Sequence, residues 1–256
     1  MEDKIALITG GALGIGRAIA LAFAWEGANV IIADRLLDEM KKTVSDVKAL
    51  GRHAVGIQID LSQREALKPF VDRVFSYFPL VHILVNNAGI GSGQKPKPIS
   101  EYDDDFWDLS LFVNLTVPYL LMKAFLPSMI AHGWGRIINI SSVAGKMGLK
   151  HGGAYCSSKH GLIGLTRTAA LEVASSGVTV NAICPGHIRT TFGVRRLKHD
   201  AEQKGMSLEE IERSCNPIQR LLEPEEVAHM AVFLSSDGAG GITGQALNIS
   251  GGYLMD

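Results

Sequence analysis

An excess of charge of either sign is what this chain most plainly lacks. Its 25 lysines and arginines stand against 26 aspartates and glutamates, a net charge of −1, and no long basic run occurs. A nucleic-acid partner calls for a concentrated basic face, so none is expected. Cysteine is scarce too. Cys156, Cys184 and Cys215 are scattered without C-x-x-C or metal-ligand spacing, which argues against a metal site, and an odd, sparse count suits a reducing compartment. No apolar run approaches the roughly 18–20 residues that span a bilayer. The opening MEDKIALITGG enters strand-like sequence without a signal-peptide pattern. Repeats, low-complexity tracts and linkers are absent as well. The expectation is one soluble, cytoplasmic domain over residues 1–256, with no membrane segment, long enough for a substantial α/β core.

What is present is an alternation. The apolar runs Lys4–Thr9, Asn29–Ala33, His53–Ile59, Val81–Val85, Arg136–Ile140, Val178–Ile183 and Gln245–Ile249 are separated by segments of helical spacing. Strands apolar on both faces, alternating with helices, predict one doubly wound parallel sheet with helices on each side. Gly27 closes the first helix. Ser100, with Asp103 three residues on, reads as an N-cap. Pro118 and Pro127 read as interruptions of a long helix, and Pro224 opens another at its first position. Residues 191–216 are polar and charged, without a clear core stripe, and read as an inserted flap.

One stretch concentrates chemistry: Asn139–Gly161, NISSVAGKMGLKHGGAYCSSKHG. In a helix, Tyr155 and Lys159 share a face at i,i+4, and a neighbouring ammonium favours the phenolate. Bringing a tyrosine from ~10 to ~7 takes roughly 4 kcal/mol of preferential stabilisation of the anion. A tyrosine so tuned exchanges a proton with an alcohol or ketone oxygen, and Ser142 is placed to hold that oxygen. Spacing alone does not decide, because Tyr119 and Lys123 repeat it within VPYLLMKAFL. There the expectation is a packed tyrosine and a lysine reaching for solvent. Tyr155, by contrast, follows a strand, a Ser-Ser pair and a glycine-rich loop.

A cofactor site is predicted at the other end of the same crevice. TGGALGIG, residues 9–16, sits between the first strand and the first helix, where a glycine turn admits a pyrophosphate to the helix N-terminus. Asp34 ends the next strand about 20 residues on, placed to accept ribose hydroxyls and to repel a 2′-phosphate. NAD is therefore expected over NADP. Arg35 argues the other way, whereas Leu13 offers no cation for a 2′-phosphate. A plain helix-terminus role also suits Asp34. Asp60, ending the third strand, has the edge position suited to adenine.

Taken together, TGGALGIG, Asp34, Asp60-Leu61, NNAG at 86–89, Asn114, Ser142, Tyr155-x-x-x-Lys159 and PGHIRT at 185–190 make the chain resemble the short-chain dehydrogenase/reductase family over essentially its whole length. The resemblance implies a Rossmann-like sheet and NAD(P)-dependent hydride transfer between an alcohol and a ketone. It implies catalysis by Asn114, Ser142, Tyr155 and Lys159, with Asn114 holding a water that relays protons through Lys159. It implies cofactor contacts at Gly10, Gly14, Ile15, Gly16, Asp34, Asp60, Leu61, Asn87, Tyr155, Lys159, Ile188 and Thr190. It also implies a homo-oligomer, commonly a tetramer, with the segment ALNISGGYLMD or the helix of Tyr119, Met122 and Phe125 at an interface. Cys156 reads as a packed small residue.

The expected activity is NAD-dependent oxidation of a secondary alcohol, its substrate a small hydroxy acid or polyol. Two alternatives stand beside it: an NADP-dependent 3-oxoacyl reductase, and a non-catalytic dinucleotide-binding protein on the same scaffold. Lys146, Lys150 and His151 before Tyr155, with Arg195, Arg196, Lys198 and His199 in the flap, raise the expectation of an anionic substrate.

Overall fold

Strands that are apolar on both faces are buried only when both faces of their sheet are covered. The computed structural model, which describes residues 1–256, has such a sheet of seven parallel strands in the order β3-β2-β1-β4-β5-β6-β7. They are β1 (Ile5–Thr9), β2 (Asn29–Asp34), β3 (Ala54–Gln58), β4 (Ile83–Asn86), β5 (Gly135–Ile140), β6 (Val178–Pro185) and β7 (Ala246–Ile249). Side chains of β1 alternate between two cores. Ala6 and Ile8 join Ile19 and Phe23 of α1 (Gly14–Trp25) on one side, and Leu7 joins Phe125 and Met129 of α5 (Val117–His132) on the other. The remaining helices are α2 (Leu37–Ala49), α3 (Leu67–Tyr77), α4 (Asp104–Leu111), α6 (Gly153–Val173), α7 (Thr191–Lys204), α8 (Leu208–Ser214) and α9 (Pro224–Ser235). The doubly wound α/β expectation holds.

Strand order reverses between β1 and β4, paired in register Leu7 to Leu84 and Ile8 to Val85. A crevice opens beyond the carboxyl ends of the strands at such a switch, and ligands of open α/β sheets bind there. Here those ends carry the turns that begin at Gly10, Asn87, Ser141 and Gly186.

Five local expectations are corrected. Asp103, not Ser100, caps α4, its Oδ1 accepting from the Phe106 N–H at 2.9 Å, while Ser100 lies in a short 3₁₀ turn. The helix from Asp104 to His132 is not broken at its prolines. A π turn, Phe112–Thr116, joins α4 to α5; Pro118, just after that turn, and Pro127 are both carried inside the continuous helix. That helix is also long and apolar enough to cross a membrane, yet Val117, Leu121, Met122, Phe125 and Met129 belong to the core beneath the sheet. Tyr119 is not packed; it is 44% exposed. Finally, residues 191–216 do possess a core: Leu197 and Ala201 of α7 and Ile211 of α8 pack with Cys215 and Leu221.

Candidate active site

The glycine turn is built for something to approach its backbone. Gly10 and Gly14 have positive φ, +63° and +54°, where L side chains are strained. A Cβ on Gly16 would lie 2.1 Å from the Gly10 oxygen and 2.5 Å from Asn87 Nδ2. Asn87 Nδ2 donates to the carbonyls of Thr9 and Gly10, both at 2.9 Å, and Thr9 Oγ1 accepts from the N–H groups of Asn87 and Ala88. The turns after β1 and β4 are thus clasped together. Leu13, at the N-cap of α1, makes no side-chain capping bond, so the first-turn N–H groups keep their capacity for an anion. Ile15 lies in that first turn and packs on the core.

Asp34 anchors the turn from the next strand. Its Oδ2 accepts from the Ala12 N–H and its Oδ1 from the Leu36 N–H, both at 3.0 Å. A carboxylate oxygen has two lone-pair sites, so each keeps one for a ribose hydroxyl. Arg35 beside it is exposed. Asp60 accepts from the Ser62 N–H at 2.9 Å, a bond that holds its carboxyl below the usual range. Leu61 turns its side chain into the core, which leaves only backbone there for a ligand. On the far wall Ile188 is buried, and Thr190 Oγ1 accepts from the Gly193 N–H to cap α7. The Thr190 methyl would lie 3.1 Å from a Cβ on Gly14, so the starts of α7 and α1 meet across the crevice. Bare backbone, an uncapped helix N-terminus and a strand-end carboxylate fit a nicotinamide dinucleotide.

The stretch after β5 supplies the reactive groups. Ser141 Oγ donates to the Lys159 carbonyl at 3.1 Å, which spends it on pinning α6. Ser142 Oγ accepts from the Ala144 N–H at 3.1 Å and donates to the Pro185 carbonyl at 3.4 Å, a long bond that a better acceptor would displace. Tyr155, in the first turn of α6, is half-buried. Burial pushes its phenol up, and the Ser142 hydroxyl pulls the other way. Lys159 is buried, and burial lowers its ammonium to about 8. Its Nζ donates to the Ile140 carbonyl at 2.7 Å and stands 5.7 Å from the centre of the Tyr155 ring. In this arrangement Nζ is aimed at the Ile140 carbonyl and not at the phenol oxygen.

Asn114 occupies the π turn and is fully buried. Its Oδ1 accepts from the Ile90 N–H at 2.8 Å, and its Nδ2 donates to the Ile90 carbonyl and to Ser158 Oγ, both at 3.1 Å. The side chain thus clamps the NNAG loop to α6. The Asn114 carbonyl has no N–H to accept from Pro118, four residues on. Ser158 was not legible as part of this assembly, since a serine inside a helix carries no signal of its own.

The cations on the substrate side are largely paired. Lys146 Nζ donates to the Ala246 carbonyl at 2.6 Å and to Asp256 at 2.9 Å. Arg196 pairs with Asp200 at 2.7 Å and donates to the Lys150 carbonyl at 3.0 Å, and His151 Nδ1 stands 3.3 Å from His199 Nε2. These groups stitch the flap to the loop before Tyr155; they do not form the open cationic wall expected for an anionic substrate. The Tyr253 ring stands 5.0 Å from that of His187 in a T-shaped contact. Nothing in the pattern of the sequence links the two.

A family model described as short chain dehydrogenase matches residues 4–201. The uncharacterized oxidoreductase YxjF of Bacillus subtilis (strain 168) is 40% identical over 257 residues, 99% of each chain. A D-beta-hydroxybutyrate dehydrogenase of Rhizobium meliloti (strain 1021) is 35% identical over 98% of each. Among solved structures, a single-site variant of the actinorhodin polyketide ketoreductase with NADPH superposes with a TM-score of 0.92, at 34% identity over 99% of each chain.

Proposed function

Since the chain belongs to the short-chain dehydrogenase family and is an NAD(P)-dependent oxidoreductase, we propose that it interconverts a secondary alcohol and a ketone with NAD as its cofactor. The observation that carries this reading is the meeting of Ser142, Tyr155 and Lys159 at the end of β5 with the glycine turn across one crevice. Bound there, the nicotinamide supplies or accepts the hydride. Ser142 orients the reacting oxygen, and Tyr155 exchanges the proton with it. Lys159, its ammonium lowered by burial to about 8, relays that proton between Tyr155 and a water held at the Asn114 carbonyl. The glycines, Ile15, Asn87, Ile188 and Thr190 shape the cofactor's bed; Asp34 takes the ribose hydroxyls and disfavours a 2′-phosphate.

The substrate in this reading is a small hydroxy acid or polyol, in line with the likeness to a D-beta-hydroxybutyrate dehydrogenase. A second reading, reduction of a 3-oxoacyl group with NADPH, is favoured by exposed Arg35 beside Asp34 and by the likeness to the ketoreductase. A panel of secondary alcohols with NAD, followed by NADH absorbance, tests the first. Turnover confined to 3-oxoacyl thioesters with NADPH would replace it with the second. Three buried free cysteines suit a cytoplasmic enzyme. The half-buried edge strand β7, with Leu171 and Phe233 exposed, suits a homotetramer; a monomer mass by light scattering would refute it.

A further inference from the structure

Three cations stand on the flap side of the cleft that faces the glycine turn: Arg189, Arg195 and Lys198. Leu13 and Gly14 form the opposite wall of a space of about 720 Å³. Arg189 is held by Glu212 and Glu223. Arg195 and Lys198 are exposed and enter no ion pair, although Arg196 between them is paired with Asp200. Three residues apart on α7, they share one face of the helix. Arg196 and His199 share another, and that face is fastened to Lys150 and His151. So α7 has one side stitched to the loop before Tyr155 and another whose cations look across the cleft toward the uncapped start of α1.

We propose that Arg195 and Lys198 close on the diphosphate of the bound dinucleotide, so that the cofactor's own charge seats α7 over the crevice. The proposal rests on the dinucleotide reading of the site. A diphosphate brings two negative charges, and the cleft wall offers two cations whose charge no carboxylate has cancelled. Every other cation on this wall, or on the loop face that α7 touches, has a bonded partner except Lys150. Seated α7 would also fix the loop before Tyr155 through Arg196 and His199. Cofactor binding would then precede, and prepare, the substrate cleft.

The test compares wild type with R195A, K198A and the double variant in NADH titrations followed by fluorescence, at low and at about 0.3 M salt. A cation about 4 Å from a phosphate charge in a water-like medium is worth roughly a fivefold change in affinity. Each single variant should bind NADH about fivefold more weakly at low salt, and the double variant about 25-fold. The gap should shrink as salt screens the pair. Adenosine, which has no phosphate, should bind all four proteins alike. Amide exchange in α7 should slow on NADH addition in wild type and not in the double variant. The clamp is overturned if the double variant binds NADH like wild type, if α7 exchange is unmoved, or if adenosine is lost equally. It is overturned too if NADPH suffers far more than NADH, for then the cations read a 2′-phosphate. Wild type that binds neither dinucleotide would instead overturn the cofactor reading itself, and the clamp with it.

Discussion

Replacing Asn114 by alanine separates a structural clamp from a water-holding side chain. Three hydrogen bonds disappear, two of them to the Ile90 N–H and carbonyl and one to Ser158 Oγ. Ser158 keeps its bond to the Tyr155 carbonyl at 2.8 Å, so its loss is small. The two backbone groups of Ile90 are left in a half-buried loop, where an orphaned polar group costs about 1–3 kcal/mol. Partial access to water places the sum near the lower end, about 2–3 kcal/mol. For a chain of this size, 1 kcal/mol moves the melting temperature by about 2–4 °C, so N114A should melt roughly 5–10 °C lower. Activity should fall as well, because the NNAG loop, the cofactor bed and α6 all lose a shared anchor. Thermal denaturation followed by circular dichroism, beside kcat with saturating cofactor, reads both. A variant that keeps its melting temperature and loses only kcat would refute the clamp and restore the water-holding side chain.

Other outcomes follow from the same geometry. Y155F should lower kcat by at least about 10²-fold while NADH binding stays nearly intact, whereas Y119F, at an exposed position, should be silent; equal losses would mean the wrong tyrosine was chosen. D34A should improve kcat/KM with NADP and narrow the preference for NAD; wild type that already prefers NADP would refute the role given to Asp34. His82, chiefly through burial and then through Lys4 and His132, titrates at about 4, and its Nδ1 accepts from the Ile5 N–H at 3.0 Å. A histidine held neutral contributes stability that is present above its unfolded value of about 6.5 and lost as pH falls toward 4. Melting temperature should therefore drop across that window in wild type, with a shallower slope in H82N; identical slopes would remove His82 from the account.

Much of the architecture was legible because each strand advertises itself: IALIT and NVIIAD have no polar interior residue to send to solvent, so only a covered sheet accommodates them. The glycine turn was legible for a similar reason, since Gly10 and Gly16 stand where backbone approach forbids side chains. The cap at Asp103 was misplaced because Ser100 and Asp103 are both good caps, and the choice between them falls to the turn that precedes α4. The π turn left no trace, as nothing in FVNLT distinguishes i+5 from i+4 bonding. The flap's core escaped notice because its five buried residues are spread over two short helices and a loop. The cations misled for a more basic reason. A charge is visible in a sequence, but its partner is not: Lys146 meets Asp256 110 residues away.

The all-parallel sheet sets the order in which this molecule can assemble. No two adjacent strands are joined by a hairpin, and Ile8 must wait for Val85 before β1 is enclosed. Chains dominated by such distant pairings fold slowly, and their unpaired apolar strands are exposed to aggregation meanwhile. The bonds from Asn87 to Thr9 and Gly10 span the same gap, so the cofactor's bed is complete only once β4 has docked beside β1. A dinucleotide present during refolding would have nothing to bind until β4 docks. From then on it would act as a latch on the finished sheet, raising the yield of native protein without hastening the steps before it.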